Sequence, residues 1–300
     1  MAQIREIKKR IKAVSNIRRI TKTMQMIATS KFARAQQRAT ASKPYTEGVY
    51  DLVQELAARA GNISHPLIDG PESGPHSDAK DLVLLITSDR GLCGPYNGSL
   101  IRTTFRHLRE AGSGSAQQGA QKCEVEIVGR KGIGVLKFNG IPVSQTRAFG
   151  DTPRYEEIER LASEYMTRFQ DGHISSVRVV YMRFESTARQ RPEVLQLLPL
   201  KPPTEEEQGA AAAAAVEYDF SPEPAELLGD LLPETVKATL FQAFNDAIVS
   251  EHVARMVAMK SATDNAGKLG KSLKTKFNRA RQAQITTELS EIIGGTAALE

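Results

Sequence analysis

The sequence predicts an α/β protein in which an open, Rossmann-like sheet domain is inserted between two long terminal helices that form an antiparallel coiled coil. Three features lead to this. The first Pro is Pro44 and the first Gly is Gly48, so nothing in the opening forty residues breaks a helix. From Asp81 onward, short apolar runs alternate with segments of helical spacing. After Pro233 no proline recurs, and Glu234 to about Ile293 reads as one helix.

In the first helix, Ile4, Ile7, Ile11 and Val14 follow alternating steps of three and four, which places them on one stripe. Ile17, Ile20, Met24 and Ile27 form a second set, expected to continue the seam after an extra step of three. Such a break would locally change the supercoil. Pro44 is expected to kink the helix, because Tyr50, Val53 and Leu56 resume the spacing beyond it, and Gly61 is a suitable stop. Residues 61–80, rich in Gly, Pro, Ser and Asp, read as a linker.

Leu82 to Thr87 is a continuous apolar run, the pattern of a parallel strand buried on both faces. Leu100, Ile101, Phe105 and Leu108 have helical spacing. Further strands are expected at Glu124 to Val128, Pro142 to Thr146, Ser176 to Arg183 and Glu193 to Leu198, with a helix from Arg154 to Phe169. The Glu- and Ala-rich stretch 204–215 reads as a loop insertion. The expected division is therefore an N-terminal coiled-coil helix (1–60), a linker (61–80), a sheet domain (81–225) and a C-terminal coiled-coil helix (226–300). A helix of ~60 residues would span about 90 Å, too long for the sheet domain alone to cover. The N-terminal helix is the partner of comparable length.

The chain has 300 residues, 40% apolar content and a formal charge of +5. Its charge is uneven: residues 1–43 hold twelve Lys and Arg against Glu6, and Arg255 to Arg281 holds eight against Asp264. Two cationic ends on paired helices imply a basic rod, suited by electrostatics to an acidic protein cavity or to nucleic-acid phosphates. The regular apolar stripe and the scarcity of aromatic residues for base stacking favour the coiled coil over nucleic acid. Cys93 and Cys123 lack metal-ligand spacing, which argues against a disulfide framework or zinc site and fits a reducing compartment. No segment reaches the ~18 apolar residues of a membrane-spanning helix, and the basic N-terminus reads as folded helix rather than as a targeting signal.

Motifs of nucleotide chemistry are weak. Asn265 to Ser272 approaches the phosphate-cradling G-x-x-x-x-G-K-[ST] loop, but Asn265 replaces the first Gly and the segment lies inside a helix. Gly129, Gly132 and Gly134 follow a strand, yet their order departs from the dinucleotide fingerprint, and a tight strand-to-helix turn explains them. Ser88 to Asn97 follows the first sheet strand, where α/β folds bind ligands, but no triad or metal set accompanies it. No catalytic residue, cofactor or metal is expected.

Longer motifs are more specific. Ile4-Arg-Glu-Ile-Lys-Lys-Arg-Ile11, Ile20-Thr-Lys-Thr-Met24, Thr87-Ser-Asp-Arg-Gly-Leu-Cys-Gly94, Gln196-Leu-Leu-Pro-Leu200, Ala254-Arg-Met-Val-Ala-Met-Lys-Ser-Ala-Thr-Asp-Asn265 and Asn278-Arg-Ala-Arg-Gln-Ala-Gln-Ile-Thr-Thr-Glu-Leu289 together resemble the gamma subunit of the F-type ATP synthase along nearly the whole chain. The resemblance implies a non-catalytic central stalk turning inside three alpha and three beta subunits. Its sheet domain would rest with the epsilon subunit on the c-ring, peripheral to the cytoplasmic face of the cell membrane. It also implies beta-subunit contacts at Arg281 and Gln282, with Met24 and Lys31 at the same neck. Tyr218 and Phe220 would touch the ring, and Ile292, Ile293 and Leu299 would form an apical bearing. The 204–215 stretch has no counterpart in the family pattern, and the paired-cysteine regulatory loop of the chloroplast form is absent.

Overall fold

The computed structural model describes residues 2–60, 65–71, 74–76, 79–112, 115–200 and 224–297. The elements in chain order are α1 (Ala2–Ala60), α2 (Pro66–Asp69), β1 (Lys80–Ile86), α3 (Tyr96–Ala111), α4 (Ala116–Lys122), β2 (Cys123–Val128), α5 (Ile133–Phe138), β3 (Gln145–Arg147), α6 (Tyr155–Gln170), β4 (Ile174–Phe184), β5 (Gln190–Leu198) and α7 (Pro224–Ala297). The residues group into two compact units, one of Met1–Ser30 with Arg255–Glu300 and one of Lys31–Ala254. The stretch 204–215, with Tyr218, Phe220 and Leu299, lies outside the described residues.

In the first unit the two helices run antiparallel. Rising numbers on α1 meet falling numbers on α7: a methyl built on Gly270 would lie 3.8 Å from Val14, one on Gly267 3.6 Å from Arg18, and the hydroxyls of Thr21 and Thr263 hydrogen-bond at 2.8 Å. Ile4, Ile7, Ile11, Val14, Thr21, Gln25 and Ala28 of α1 are covered and keep heptad spacing, with exposed Arg18 at the remaining seam position; Met24, next to Gln25, is also half-buried. The expected break is therefore absent. Ile17, Ile20 and Ile27 are 52%, 56% and 53% exposed and do not continue the seam. The seam passes instead through Thr21 and Ala28, which are small enough for the helices to approach closely. On α7 the matching stripe is Met259, Thr263, Ala266, Gly270, Leu273, Phe277 and Ala280.

In the second unit five strands form one sheet in the order β3-β2-β1-β4-β5, parallel except for the antiparallel β4–β5 pair. β1 is central. Its alternate residues feed two cores, which explains the uninterrupted apolar run: Leu82, Leu84 and Ile86 face one side, Val83 and Leu85 the other. The first core is completed by Ile158, Leu161, Tyr165 and Phe169 of α6 and by Leu228, Leu232, Val236, Leu240 and Phe244 of α7. The second is completed by Tyr96, Leu100 and Leu108 of α3. α7 begins at Pro224, ten residues before Glu234, where the proline-free helical pattern starts. A helix-interior proline costs about 3 kcal/mol, which burial of Leu228, Leu232 and Val236, at roughly 1.5–3 kcal/mol each, offsets. Likewise α1 continues as helix through Pro44.

Glu126 of β2 is fully buried, and its charge is matched. It accepts from Tyr165 Oη at 2.7 Å and Arg147 Nε at 3.0 Å, while Arg147 also binds Glu164 at 2.6 Å. One carboxylate thus ties β2, β3 and α6 together. Asp246 of α7 is different. Burial pushes its carboxyl up to about 6, although Gln242, the Phe184 amide, Arg183 and Lys43 all favour its ionised form.

Two outcomes follow from these contacts. Thr21→Val and Thr263→Val should show a coupling of about 1 kcal/mol, the worth of the hydroxyl pair itself, because each hydroxyl also has a carbonyl partner on its own helix, Arg18 for Thr21 and Met259 for Thr263; chemical denaturation of the double-mutant cycle measures it. The raised Asp246 pKa makes the protonated form the one that folding favours. Its stabilising contribution is complete below the unfolded value near 4 and is lost as pH rises through about 6. Asp246→Asn should therefore stabilise the chain more at pH 7.5 than at pH 4.5, by up to about 2 kcal/mol, and equal effects at both pH values would contradict this.

Candidate partner-contact surfaces

In a doubly wound sheet, ligands bind beyond the carboxyl ends of the strands where the winding direction reverses. Here that point lies between β1 and β4, and α7 covers the carboxyl end of β1. Tyr96 Oη donates to the Ala247 carbonyl at 3.0 Å, Ser250 Oγ donates to the Met182 carbonyl at 3.1 Å, and Phe149 meets Phe244 edge-on at 5.2 Å. The remaining cavity, bounded by Thr87, Gly129 and Phe244, measures about 30 Å³, room for a water molecule.

The nearby glycines serve packing. Gly129 has φ +84°, and a Cβ there would lie 2.1 Å from the Thr87 carbonyl oxygen; one on Gly132 would lie 2.5 Å from Ile127 Cδ1. Thr87 Oγ1 donates to the Val128 carbonyl and accepts from the Gly132 amide, closing the turn on itself. The segment Asn265 to Ser272 lies in mid-helix, where its amides bond within α7. Among the described residues no group of three or more His, Cys, Asp or Glu side chains is arranged to hold a metal ion. Burial pushes the Cys123 thiol up to about 11, so it stays protonated.

The surface of the first unit carries the features that call for partners. Arg281 and Gln282 are exposed on α7, beside the half-buried seam residues Ala280 and Gln284. The antiparallel register brings Ile4 level with Ala280, so α7 outruns α1 beyond about Gln284. Ile285, Leu289, Ile292 and Ile293 follow there at 48–64% exposure. On α1, Ile17, Ile20, half-buried Met24 and Ile27 recur at three- and four-residue steps, forming a second apolar stripe on a face other than the seam. Arg5, Lys8, Lys9, Lys12, Arg19 and Lys22 are exposed on the same helix, most of them N-terminal to the stripe. A phase shift in the spacing marks this second face: Val14 and Ile17 stand three apart where the heptad requires four.

Lys31 is placed differently. In the second unit its ammonium is engaged by the Asp151 carboxylate, which that hydrogen bond holds below the usual carboxylate range. The pair joins α1 to the turn before α6, 120 residues away in sequence. Motif spacing gave no signal of it.

Comparisons with known proteins agree with this architecture. A family model described as ATP synthase matches residues 3–299. Among curated relatives, the ATP synthase gamma chain of Rhodopirellula baltica is 40% identical over 304 residues, and that of Legionella pneumophila 36% identical over 300 residues, each covering 100% of both chains. Among solved structures, a chain of the Euglena gracilis mitochondrial ATP synthase (OSCP/F1/c-ring) aligns with a TM-score of 0.65 at 19% identity, covering 99% of this chain and 95% of that one. A chain of the Tetrahymena thermophila mitochondrial ATP synthase central stalk aligns with a TM-score of 0.56 at 20% identity, covering 81% of this chain and 99% of that one. With a full-length family match and relatives above one-third identity, the chain belongs to the ATP synthase gamma chain family.

Proposed function

We propose that this chain is the non-catalytic central stalk of a proton-translocating F-type ATP synthase, turning with the c-ring inside a hexamer of three alpha and three beta subunits. The observation that carries this reading is the second apolar stripe, Ile17, Ile20, Met24 and Ile27, on a cation-rich helix pair whose own seam is already filled. A helix pair that has satisfied its seam and still exposes large apolar side chains suits a surrounding protein surface that is apolar at its centre and acidic at its rim.

In this role Arg281 forms a charge-assisted hydrogen bond to a beta subunit with Gln282 beside it, while Met24, level with about residue 260 of α7 and so roughly 30 Å along the helix pair from Arg281, makes a separate contact at the neck. Lys31 contributes there through its exposed portion, with Asp151 fixing its position. The helix end bearing Ile292, Ile293 and Leu299 serves as an apical bearing, and Tyr218 and Phe220 meet the ring beside the epsilon subunit. Coupling follows from asymmetry. Each catalytic site meets a different face of the helix pair, and only a difference in contact between conformational states shifts their populations. The filled crevice of the sheet domain supports a stalk role over nucleotide chemistry by this chain itself. Among the described residues no helix is long and apolar enough to cross a membrane. In this reading the chain is held at the cytoplasmic face of the cell membrane through its partner subunits.

In the reconstituted complex, Arg281→Ala with Gln282→Ala should leave assembly intact and lower coupled ATP turnover several-fold, roughly the loss of one charge-assisted hydrogen bond per catalytic contact. Ile20→Asp with Ile27→Asp should preserve the chain's own thermal stability, since both side chains are exposed, while weakening its incorporation into the hexamer. Full coupled activity in the first variant and normal incorporation of the second would contradict the reading.

A further inference from the structure

We propose that α1 carries a bending joint at Thr40 to Gly48, where the helix flexes between two firmly anchored flanks. The joint is independent of the stalk reading, since it rests on local bonding and packing within the second unit.

Three observations converge on these residues. Pro44 has no amide hydrogen, so the Thr40 carbonyl loses its bond from four residues on, and the proline ring presses against that carbonyl. One turn later stands Gly48, whose backbone is the freest available to a helix; a Cβ built there has nothing within 4 Å. Beside this stretch lies a cavity of about 530 Å³ that begins at Ala39, Phe184 and Val249 and extends past Thr40, Lys43 and Thr46 of α1 to Gln242 and Asp246 of α7.

Packing on the two flanks contrasts with this gap. Toward the N-terminus, Phe32, Ala35 and Ala39 pack against Ile248, Val249 and Phe184, with the Phe32 and Phe184 rings 6.3 Å apart. Toward the C-terminus, Val53 and Leu56 enter the main core. Between them, polar contacts join α1 to α7: Ser42 to Gln242 and Asn245 to Ser42, each 3.3 Å long, and the charge of Lys43 near the Asp246 carboxyl, with buried Val49 marking the start of the C-terminal flank. Those hydrogen bonds are longer than the usual range and yield to small rotations more readily than close apolar packing does. A helix that is weakest internally where it is least supported will bend there first.

Hydrogen exchange with residue-level fragmentation on the full-length chain tests this. Amides of residues 45–48 should exchange at least about 10-fold faster than those of 33–39 and of 50–56, a local maximum between two protected flanks. Pro44→Ala with Gly48→Ala, which restores the missing bond and raises helix propensity, should slow the 45–48 amides at least about 10-fold and leave both flanks unchanged. A steady rise in exchange toward Ala60 would mean ordinary end fraying and would overturn the proposal. So would unchanged exchange of residues 45–48 in the double variant.

Discussion

The constraint that governs the first unit is close approach of two helices along a heptad seam. The small residues Thr21, Ala28, Thr263, Ala266 and Gly270 line it, and a methyl added at Gly270 would meet Val14 at van der Waals distance, 3.8 Å. The seam's apolar contribution comes mainly from Ile4, Ile7, Ile11 and Val14 against Leu273 and Phe277. Its central stretch adds instead a buried hydroxyl pair, Thr21 with Thr263, which discriminates between registers because a slip would leave both groups without each other. Small seam residues also have a consequence outside the seam. They leave Ile17, Ile20 and Ile27 unneeded for pairing, and so available to a partner.

The second unit shows a different use of the same helix. α7 lays Leu228, Leu232, Val236, Leu240 and Phe244 onto the sheet and crosses the carboxyl end of β1, where comparable sheets receive a ligand. A fold whose architecture elsewhere supports nucleotide chemistry is here a mounting for a helix. Its strongest polar feature, the Glu126 cluster with Arg147, Tyr165 and Arg168, is buried structural scaffolding that fixes α6 to β2 and β3.

Much of this was legible in the sequence. The run Leu82 to Thr87 announced a strand buried on both faces, and the sheet strands fall within a few residues of their expected positions. The long terminal helices were legible from the placement of Pro and Gly, although the proline-free pattern starts only at Glu234, ten residues inside α7, because tertiary burial overrides the local cost of proline. The seam was legible only as far as Val14. Beyond it, isoleucines drew the stripe to the wrong face, whereas strict continuation of the heptad leads to Thr21 and Ala28, residues that carry no hydrophobic signal. The Lys31–Asp151 pair and the filled crevice depend on residues far apart in sequence, and no local pattern encodes them.

The central claim is the antiparallel register of α1 and α7, and cysteine cross-linking measures it most directly. Val14→Cys with Gly270→Cys should form an intramolecular disulfide under mild oxidation, because the two positions face each other across the seam and native Cys93 and Cys123 are buried. Val14→Cys with Phe277→Cys, one heptad out of register and about 10 Å farther along the helix, should not. Efficient closure of the offset pair, or failure of the facing pair, would contradict the account.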